Sequence, residues 1–388
     1  MGALGWPRLT FLVLAASALA GTLMSAAPVS ASATTCQAWT EPPAVGTGAN
    51  YLNGVTLAAG CVAWAVGRET PGEDNESLID YWNGTAWSAQ PSPDPSATIN
   101  ALQGAAAVSG SDAWAVGYYI NSALRAELPL IVRWNGTAWT QVASSITTGT
   151  SVLSAVSASS AASAWAVGET YNTTAGAYQA LILHWNGTAW AQQPSGAPSS
   201  GTSYLQGVTA TSASNAWAVG YVFTSAGRQS LILHWNGSTW AQVPNPNPSS
   251  SWTVLYAVTA TSRTNAWAAG EYVTSDIGYT LIEHWNGTVW TQVASPTPGG
   301  PVVRLSGVAA SSARNAWAVG NYGPSTAPTE QSLILHWNGT AWTQVPSPDP
   351  GGTGGTSVLT GVAARGSNAG AVGDYSTSTG IQPLAVHL

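Results

Sequence analysis

The strongest constraint on this chain is a motif that returns at a nearly fixed interval. Ala-Trp-Ala-Val-Gly recurs with its Trp at Trp64, Trp114, Trp165, Trp217 and Trp317, and Ala-Trp-Ala-Ala-Gly contains Trp267. A damaged seventh copy, with Gly370 in place of the Trp, stands where the next one is due. An interval of 50 to 53 residues indicates an array of structural repeats.

A second motif, Trp-Asn-Gly, keeps step with the first and is always followed by another Trp five residues after its own. Its Trp residues are Trp82, Trp134, Trp185, Trp235, Trp285 and Trp337. Each repeat therefore carries three Trp. This regular placement predicts that the indoles fill the core between packed sheets. When Trp39 is counted with the last Trp of each repeat, Trp252 is the one Trp of the mature chain outside this scheme.

Each repeat predicts four short strands. In the fourth repeat they are residues 205–211, 216–221, 231–235 and 239–243, rich in β-branched and aromatic residues and separated by Gly, Asn, Ser and Pro. Asn236-Gly237 predicts a tight type I′ hairpin between the third and fourth strands. A four-stranded antiparallel sheet of about 50 residues is typical of a propeller blade.

Counting these units predicts an all-β, seven-bladed β-propeller with four antiparallel strands in each blade. The chain stops at Leu388, in register with the third-strand Trp, so the last blade lacks its fourth strand. Residues 37–42 match the fourth-strand pattern of residues 341–346. We therefore expect residues 34–44 to form the closing outer strand of blade 7, within a single domain that spans residues 34–388.

The first 33 residues have the pattern of a secretory signal peptide. Arg8 is the basic residue, residues 11–20 are apolar and Ala31-Ser32-Ala33 is a small-residue cleavage site. No second long apolar segment and no lipoprotein cysteine follow, so we expect a secreted protein without a membrane anchor. Secretion favours a disulfide, and Cys36 and Cys61 belong to neighbouring blades of the predicted ring. A reactive thiol or metal pair is the alternative, but no Cys-x-x-Cys or His cluster supports it.

Charge excludes one class of partner. The mature chain has eight Arg against sixteen acidic residues, a net charge of −8, without basic stripes. A nucleic-acid partner is therefore not expected. We expect a monomer that requires no cofactor or metal.

Loop lengths predict which face binds ligand. The first-to-second and third-to-fourth strand loops are short and uniform, whereas the other two sets, on the opposite face, vary in length. Variable loops on a rigid scaffold usually carry binding residues. The residue that leaves each second strand on this long-loop face also varies, and we call this set the exit residues: Arg68, Tyr118, Glu169, Tyr221, Glu271, Asn321 and Asp374.

From this face we predict ligand-binding candidates among the non-acidic exit residues and two nearby aromatics. They are Arg68, Tyr118, Tyr204, Tyr221, Trp252 and Asn321. Glu169, Glu271 and Asp374 come from alternate blades, and their convergence near the axis would suit acid–base catalysis or a hard cation. Solvated strand ends are the alternative for the whole set.

Two further groups of polar residues have structural interpretations. The acidic run from Glu69 to Asp80 predicts a solvated loop, since its spacing is not that of a calcium loop. His184, His234, His284, His336 and His387 precede the third-strand Trp position, which predicts a shared packing or hydrogen-bonding role.

The Ala-Trp-Ala-Val-Gly and His-Trp-Asn-Gly-Thr-Ala-Trp motifs resemble those of uncharacterised secreted bacterial β-propeller repeat proteins, over nearly the whole mature chain. This resemblance implies the fold and says little about activity. The third-to-fourth strand hairpin is also similar to the Asp-box hairpin of sialidase-like propellers. It lacks the Ser and Asp of that box, and no Arg triad can be assigned, so sialidase activity is not implied.

Two functional hypotheses follow. The first is a secreted, non-catalytic binding or interaction module, lectin-like or protein-binding, whose extracellular glycan or protein ligand contacts the long-loop face. The second is a secreted hydrolase or lyase with Glu169, Glu271 and Asp374 at the mouth of the central channel. We favour the first, because closely similar blades and exposed aromatics need no single asymmetric site.

Overall fold

Short antiparallel strands account for nearly all the regular structure of this chain. The computed structural model describes residues 1–2, 36–45, 48–199, 201–298, 300–323 and 329–388. Within these ranges the only helical element is a 3-10 turn at Gly352–Gly354. Residues 3–33 of the predicted signal peptide lie outside the described part.

The strands follow the predicted repeats. Repeats one to three contribute β1 (Ala49–Leu57), β2 (Ala63–Thr70), β3 (Glu76–Trp82), β4 (Trp87–Ala89), β5 (Asn100–Ser109), β6 (Asp112–Asn121), β7 (Ala126–Trp134), β8 (Trp139–Gln141), β9 (Ser151–Ser160), β10 (Ser163–Asn172), β11 (Ala177–Trp185) and β12 (Trp190–Gln193). Repeats four and five contribute β13 (Ser203–Ser212), β14 (Asn215–Thr224), β15 (Gly227–Trp235), β16 (Trp240–Gln242), β17 (Trp252–Ser262), β18 (Asn265–Thr274), β19 (Ile277–Trp285) and β20 (Trp290–Gln292). Repeats six and seven contribute β21 (Val302–Ser312), β22 (Asn315–Gly323), β23 (Gln331–Trp337), β24 (Trp342–Val345), β25 (Ser357–Arg365), β26 (Asn368–Thr377) and β27 (Gly380–His387).

Each repeat forms an antiparallel sheet in which consecutive strands are neighbours. The sheets of repeats four and five are joined by one parallel bridge between Arg228 and Trp252. The first and last repeats are also adjacent, because the Thr360 hydroxyl donates a hydrogen bond of 2.5 Å to the Leu52 carbonyl. The chain is therefore all-β, built of four-stranded antiparallel sheets and one three-stranded sheet.

The core lies between neighbouring sheets and depends on paired indoles. The fourth-strand Trp of one repeat packs edge-on against the second-strand Trp of the preceding repeat. Trp165 and Trp240, for example, have ring centroids 5.1 Å apart at 89°. Their burial at 0% and 5% exposure confirms Trp as core filler. Edge-to-face indole pairs add stabilisation beyond the area that they bury.

Four of the five histidines confirm their predicted packing role. His234 stacks on Trp217 at 4.1 Å, and its Nε2 lies 2.9 Å from Asn215 Oδ1. His184, His284 and His336 repeat the stacking arrangement in their own repeats. Burial lowers the pKa of these imidazoles, which favours their neutral form.

The hairpin between the third and fourth strands is not the predicted type I′ turn. Trp235 pairs with Trp240, which leaves a four-residue loop, and only Gly237 within it has positive φ. Asn236 instead accepts hydrogen bonds from the backbone N–H groups of Ser238 and Thr239 at 2.9 and 3.0 Å. Asn is therefore selected here for its side-chain oxygen and not for a left-handed backbone.

Both ends of the acidic run of repeat one are buried in strands and do not belong to the predicted solvated loop. Asp80 lies in β3 at 0% exposure, and Glu69 lies in β2 at 9%. The prediction was wrong for these two residues because dense charge in the sequence concealed the strand pattern around them.

The predicted closing strand is not formed within the described residues. Residues 36–45 contain no strand, and the seventh sheet has the three strands β25, β26 and β27. Trp39 turns instead toward repeat one, where its ring lies 5.1 Å from Trp87 at 76°. It fills the space above Gly370, where a Cβ would be 2.3 Å from its ring carbons.

The missing indole of repeat seven explains this difference. In other repeats a second-strand Trp packs edge-on against the fourth-strand Trp of the next repeat, as Trp267 does against Trp342. Because Gly370 lacks the indole that the other repeats supply, Trp39 occupies that space and does not face repeat six. Trp317 accordingly remains partly exposed, unlike the equivalent Trp267.

The predicted disulfide is confirmed. Cys36 is bonded to Cys61, which lies between β1 and β2. The bond ties the segment that contains Trp39 to the first sheet. A disulfide also indicates an oxidising environment.

Candidate functional site

A central cavity of ≈ 590 Å³ is lined by the innermost strand of every repeat. Its wall is formed largely by the residue that follows the first-strand Leu. These residues are Asn53, Gln103, Ser154, Gln206, Tyr256, Ser306 and Thr360. In most repeats the pairing register shifts at this residue, as between Leu205 and Gly207. Such bulges leave one residue unpaired and change the direction of its side chain.

Sequence reasoning missed this ring of cavity residues. Its signal was present, because a polar residue of varying type stands between a constant Leu and a Gly or Ala in every repeat. The predicted candidates were instead mostly exit residues of the second strands. Of those, Glu271 and Asn321 line the cavity.

The three carboxylates predicted to converge are not brought together at the cavity. Glu271 lines it, whereas Glu169 and Asp374 are not among the residues of its wall. Burial raises the pKa of Glu169 to about 7, with a further contribution from Glu127. Burial also raises the pKa of Asp374 to about 7, although Arg68 opposes the shift. One Glu169 oxygen, Oε2, has no hydrogen-bond partner within the described ranges.

Glu271 is held by two aromatic side chains at the cavity. Trp252 Nε1 donates to Glu271 Oε1 at 3.1 Å, and the Tyr256 hydroxyl donates to the same oxygen at 3.0 Å. We call Trp252, Tyr256 and Glu271 the Glu271 cluster. Trp252, the one Trp outside the repeats, thus differs from the others by having a polar partner at the candidate site.

Two arginines flank the Glu271 cluster and stack on its aromatic rings. The Arg228 guanidinium carbon lies 3.9 Å from the Trp252 ring centroid, and the Arg304 carbon lies 3.8 Å from that of Tyr256. These are cation–π distances. Arg304 also lines the central cavity.

A row of aromatic rings continues from Arg228 across repeats four and three. Tyr221 and Tyr204 are stacked at 5.1 Å, and Tyr204 is stacked on Tyr178 at 5.7 Å. Phe223 and Tyr171 border the row with exposures of 42% and 39%. We call Tyr171, Tyr178, Tyr204, Tyr221 and Phe223 the aromatic row. The candidates Tyr204, Tyr221 and Trp252 are thus brought into one surface.

The remaining candidates lie elsewhere or make separate contacts. Arg68 stacks on Tyr51 at 4.2 Å in repeat one. Asn321 donates to Glu330 Oε2 at 2.6 Å in the cavity wall. Tyr118 is half-buried in repeat two, and burial raises its pKa.

The electrostatics of the Glu271 cluster favour hydrogen bonding over proton transfer. Burial raises the pKa of the Tyr256 hydroxyl above its ordinary value; Arg304 opposes this shift, while Glu271 adds to it. Tyr256 therefore remains a protonated donor at neutral pH. Burial likewise raises the pKa of Tyr221, and Arg228 opposes that shift.

The described residues contain neither a group of metal ligands nor a helix that could span a membrane. In that part of the chain, no three His, Cys, Asp or Glu side chains are grouped so that they would hold a metal ion. Nor does a helix there have the length and apolar character needed to cross a membrane.

Comparison with known proteins identifies the fold alone. No protein-family model and no curated protein matches the chain. YCF48 bound to D1 peptide aligns with a TM-score of 0.52 at 15% identity, covering 90% of this chain and 95% of that one. YCF48 from Cyanidioschyzon merolae aligns with a TM-score of 0.52 at 16% identity over 90% and 99% of the two chains.

An ulvan lyase bound to -[GlcA(1-4)Rha3S]- aligns with a TM-score of 0.55 at 10% identity, covering 88% of this chain and 94% of that chain. These neighbours are β-propeller-like. At such identities the similarity establishes a propeller-like fold and no activity.

Proposed function

We propose that this protein is a secreted, non-catalytic seven-bladed propeller that binds an extracellular glycan on its long-loop face. The observation that carries the proposal is the Glu271 cluster, where Trp252 and Tyr256 donate to one carboxylate oxygen beside the central cavity. Aromatic rings next to fixed polar groups are suited to sugars, which have apolar faces and hydroxyl edges.

The shape of the surface supports an extended ligand. The aromatic row leads through Arg228 to the Glu271 cluster and so to the cavity, whose wall carries amide and hydroxyl groups. A ligand polymer that lies along the aromatic row and enters the cavity would contact both the aromatic rings and the polar cavity wall. Among proteins of similar fold, YCF48 is bound to D1 peptide and the ulvan lyase to -[GlcA(1-4)Rha3S]-.

Binding accounts for the site better than the hydrolase or lyase hypothesis. Glu271 already accepts two hydrogen bonds, and Tyr256 stays protonated at neutral pH. Glu169 and Asp374, whose raised pKa values suit proton transfer, are not in the cavity wall. A general acid–base pair needs two such groups within reach of one ligand.

Secretion and ring closure belong to the same proposal. The Cys36–Cys61 disulfide and the signal-peptide pattern of residues 1–33 support export. The contact between Thr360 and Leu52 supports a ring in which the last blade packs against the first. In this ring residues 36–45 close the seventh blade by packing.

The test is a glycan array followed by calorimetry with the full chain, its disulfide intact. We expect one equivalent of ligand per chain, because the aromatic row and the Glu271 cluster each occur once. Trp252→Ala should weaken binding at least about tenfold, the typical result of removing an aromatic anchor.

The matched control is Ile99→Ala, because Ile99 of repeat two bridges to Asn75 of repeat one as Trp252 of repeat five bridges to Arg228 of repeat four. Its affinity should remain that of the unaltered chain. Several equivalents per chain would contradict the single site and indicate a site in each repeat. Absence of binding to every glycan would overturn the proposed function.

A further inference from the structure

We propose that the glycan is acidic, with its carboxylate groups bound by the guanidinium groups of Arg228 and Arg304. This inference rests on the proposed function and names the ligand class of the same site. It requires two arginines whose guanidinium groups have a fixed orientation, can be reached by a ligand and form no ion pair with a carboxylate of this chain.

Stacking orients the two guanidinium groups. Arg228 lies over Trp252 and Arg304 over Tyr256, each within 4 Å of the ring centroid. A stacked guanidinium keeps its N–H groups in the plane at its edge, where they match the two oxygens of a carboxylate. Arg304 is exposed at the cavity, so a ligand can reach that edge.

The two guanidinium groups have no hydrogen-bond acceptor among the described residues. Arg133 provides the contrast, because its Nε and Nη2 donate to the two Asp112 oxygens at 2.8 and 3.0 Å. That pair is the only ion pair found in the described part of the chain. Arg133 is thus satisfied internally, whereas the donors of Arg228 and Arg304 remain for a ligand.

The Glu271 cluster fixes the two arginines relative to each other. Trp252 and Tyr256 donate to the same oxygen of Glu271, so the rings under Arg228 and Arg304 belong to one hydrogen-bonded unit. Two fixed cationic groups along an extended surface match a ligand that carries charge at intervals. A polymer of uronic acid residues has this property.

Among the described residues, no carboxyl group lies within ion-pair distance of Arg228 or Arg304. The Glu271 carboxylate already accepts two hydrogen bonds, and Glu330 accepts one from Asn321. Burial raises the pKa of Glu169 to about 7, so this group is largely neutral in mildly acidic solution. An anionic ligand therefore meets guanidinium edges that no carboxylate of the described residues already occupies.

A saccharide fits the surroundings better than an acidic peptide. The cavity wall that includes Arg304 also carries Gln206, Ser306 and Thr360, whose amide and hydroxyl groups match sugar hydroxyls. Phe223, exposed at 42%, offers an apolar surface at the other end of the site. An acidic peptide is an outcome that the experiment separates.

The experiment titrates the full chain by calorimetry with oligomers of polygalacturonate and alginate, each beside its carboxyl-reduced counterpart. Poly-glutamate of similar length is the peptide probe. We expect an acidic oligomer to bind at least about tenfold more tightly than its reduced form, because charge-assisted bonds are lost on reduction. Its affinity should fall with added salt.

Two variants and one control locate the effect. Arg228→Gln and Arg304→Gln should each weaken the acidic oligomer about tenfold and weaken the reduced form much less, so that the ratio of the two affinities falls. Arg314→Gln removes an exposed arginine from the turn between β21 and β22 and should change neither affinity.

Each remaining outcome is decisive. Equal binding of charged and reduced oligomers overturns the acidic ligand and leaves the proposed glycan function standing. Preference for poly-glutamate over every saccharide overturns both in favour of a peptide ligand. Absence of binding by all probes, together with a blank glycan array, overturns the inference and the proposed function alike.

Discussion

Two buried carboxyl groups stand where the other repeats have an aliphatic residue. Asp80 and Glu283 occupy the third-strand position of Leu183, Leu233 and Leu335, and both have 0% exposure. Asn245 donates to both Glu283 oxygens at 3.3 Å. Neither oxygen of Asp80 has a partner within the described residues. Of the two carboxyl groups, Asp80 is therefore the one without a hydrogen-bond donor in that part of the chain.

We predict that Asp80 makes stability fall as pH rises. Burial, with a contribution from Glu69, raises its pKa from 3.8 to about 7 in the folded chain. Below pH 4 the group is protonated in both states and has no effect. Between pH 4 and 7 the unfolded chain loses this proton and the folded chain keeps it, so the free energy of unfolding decreases. The full loss, on the order of 4 kcal/mol, is present above pH 7.

Urea unfolding of the chain and of Asp80→Asn at pH 4 and pH 8 measures this effect. The variant should be the more stable by a few kcal/mol at pH 8, and the difference should shrink toward pH 4. Glu283→Gln serves as the comparison, because it removes a buried carboxyl that has hydrogen-bond donors. If the free energies of unfolding of the unaltered chain and of Asp80→Asn changed in parallel with pH, Asp80 would not be a buried, protonated acid in the folded chain.

At the scale of single elements, strand positions were predictable and turn chemistry was not. Runs of β-branched and aromatic residues, together with the Trp motifs, predicted the strands of each repeat, because such side chains pack well between sheets. The turn assignment failed because Asn-Gly suits two different loops. Asn can adopt positive φ in a type I′ turn, or it can accept backbone hydrogen bonds through its side chain.

The bulge residues of the innermost strands also escaped prediction. Register shifts such as that between Leu255 and Ala257 place Tyr256 at the cavity. A bulge adds one residue to a strand without a distinctive residue type at the position itself. Strict alternation therefore predicts the wrong face for such a residue. This is why Tyr256 was absent from the candidates while its neighbour in space, Trp252, was among them.

We predict that Asn286 stabilises its hairpin through its side-chain oxygen. Asn286 Oδ1 accepts hydrogen bonds from the backbone N–H groups of Thr288 and Val289, both at 3.0 Å. Asn286→Gly should lower the free energy of unfolding by about 1 to 2 kcal/mol, while Asn286→Asp, which keeps the acceptor, should cost less. A type I′ turn would tolerate Gly at both central positions, so an unchanged stability of Asn286→Gly would contradict this account. Thermal and urea unfolding provide the measurement.

At the scale of the whole molecule, the repeat period predicted the arrangement of sheets but not how the chain ends meet. The match of residues 37–42 to residues 341–346 was real, yet residues 36–45 form no strand. A local pattern cannot show that the space over Gly370 is empty, since that space exists only once sheets one and seven are packed. The disulfide was predictable because it depends on which repeats are neighbours.

The final prediction concerns the indole that joins the two ends of the array. Trp39 packs on Trp87 and over Gly370, in the space that a second-strand Trp fills in other repeats. Trp39→Ala should lower the free energy of unfolding by about 3 kcal/mol, as large-to-small core substitutions do. Gly370→Trp alone should also destabilise, because its side chain would overlap the Trp39 ring.

The combined variant Trp39→Ala, Gly370→Trp should recover much of the loss, since an indole then occupies the same space from the other chain segment. Urea unfolding of the four proteins gives the coupling energy between the two sites directly. The Cys36–Cys61 bond is retained in all of them, so the cross-link constrains every unfolded state equally. Additive losses would mean that Trp39 does not stand in for the missing residue, and the contact between the first and seventh repeats would then depend on the remaining aliphatic side chains.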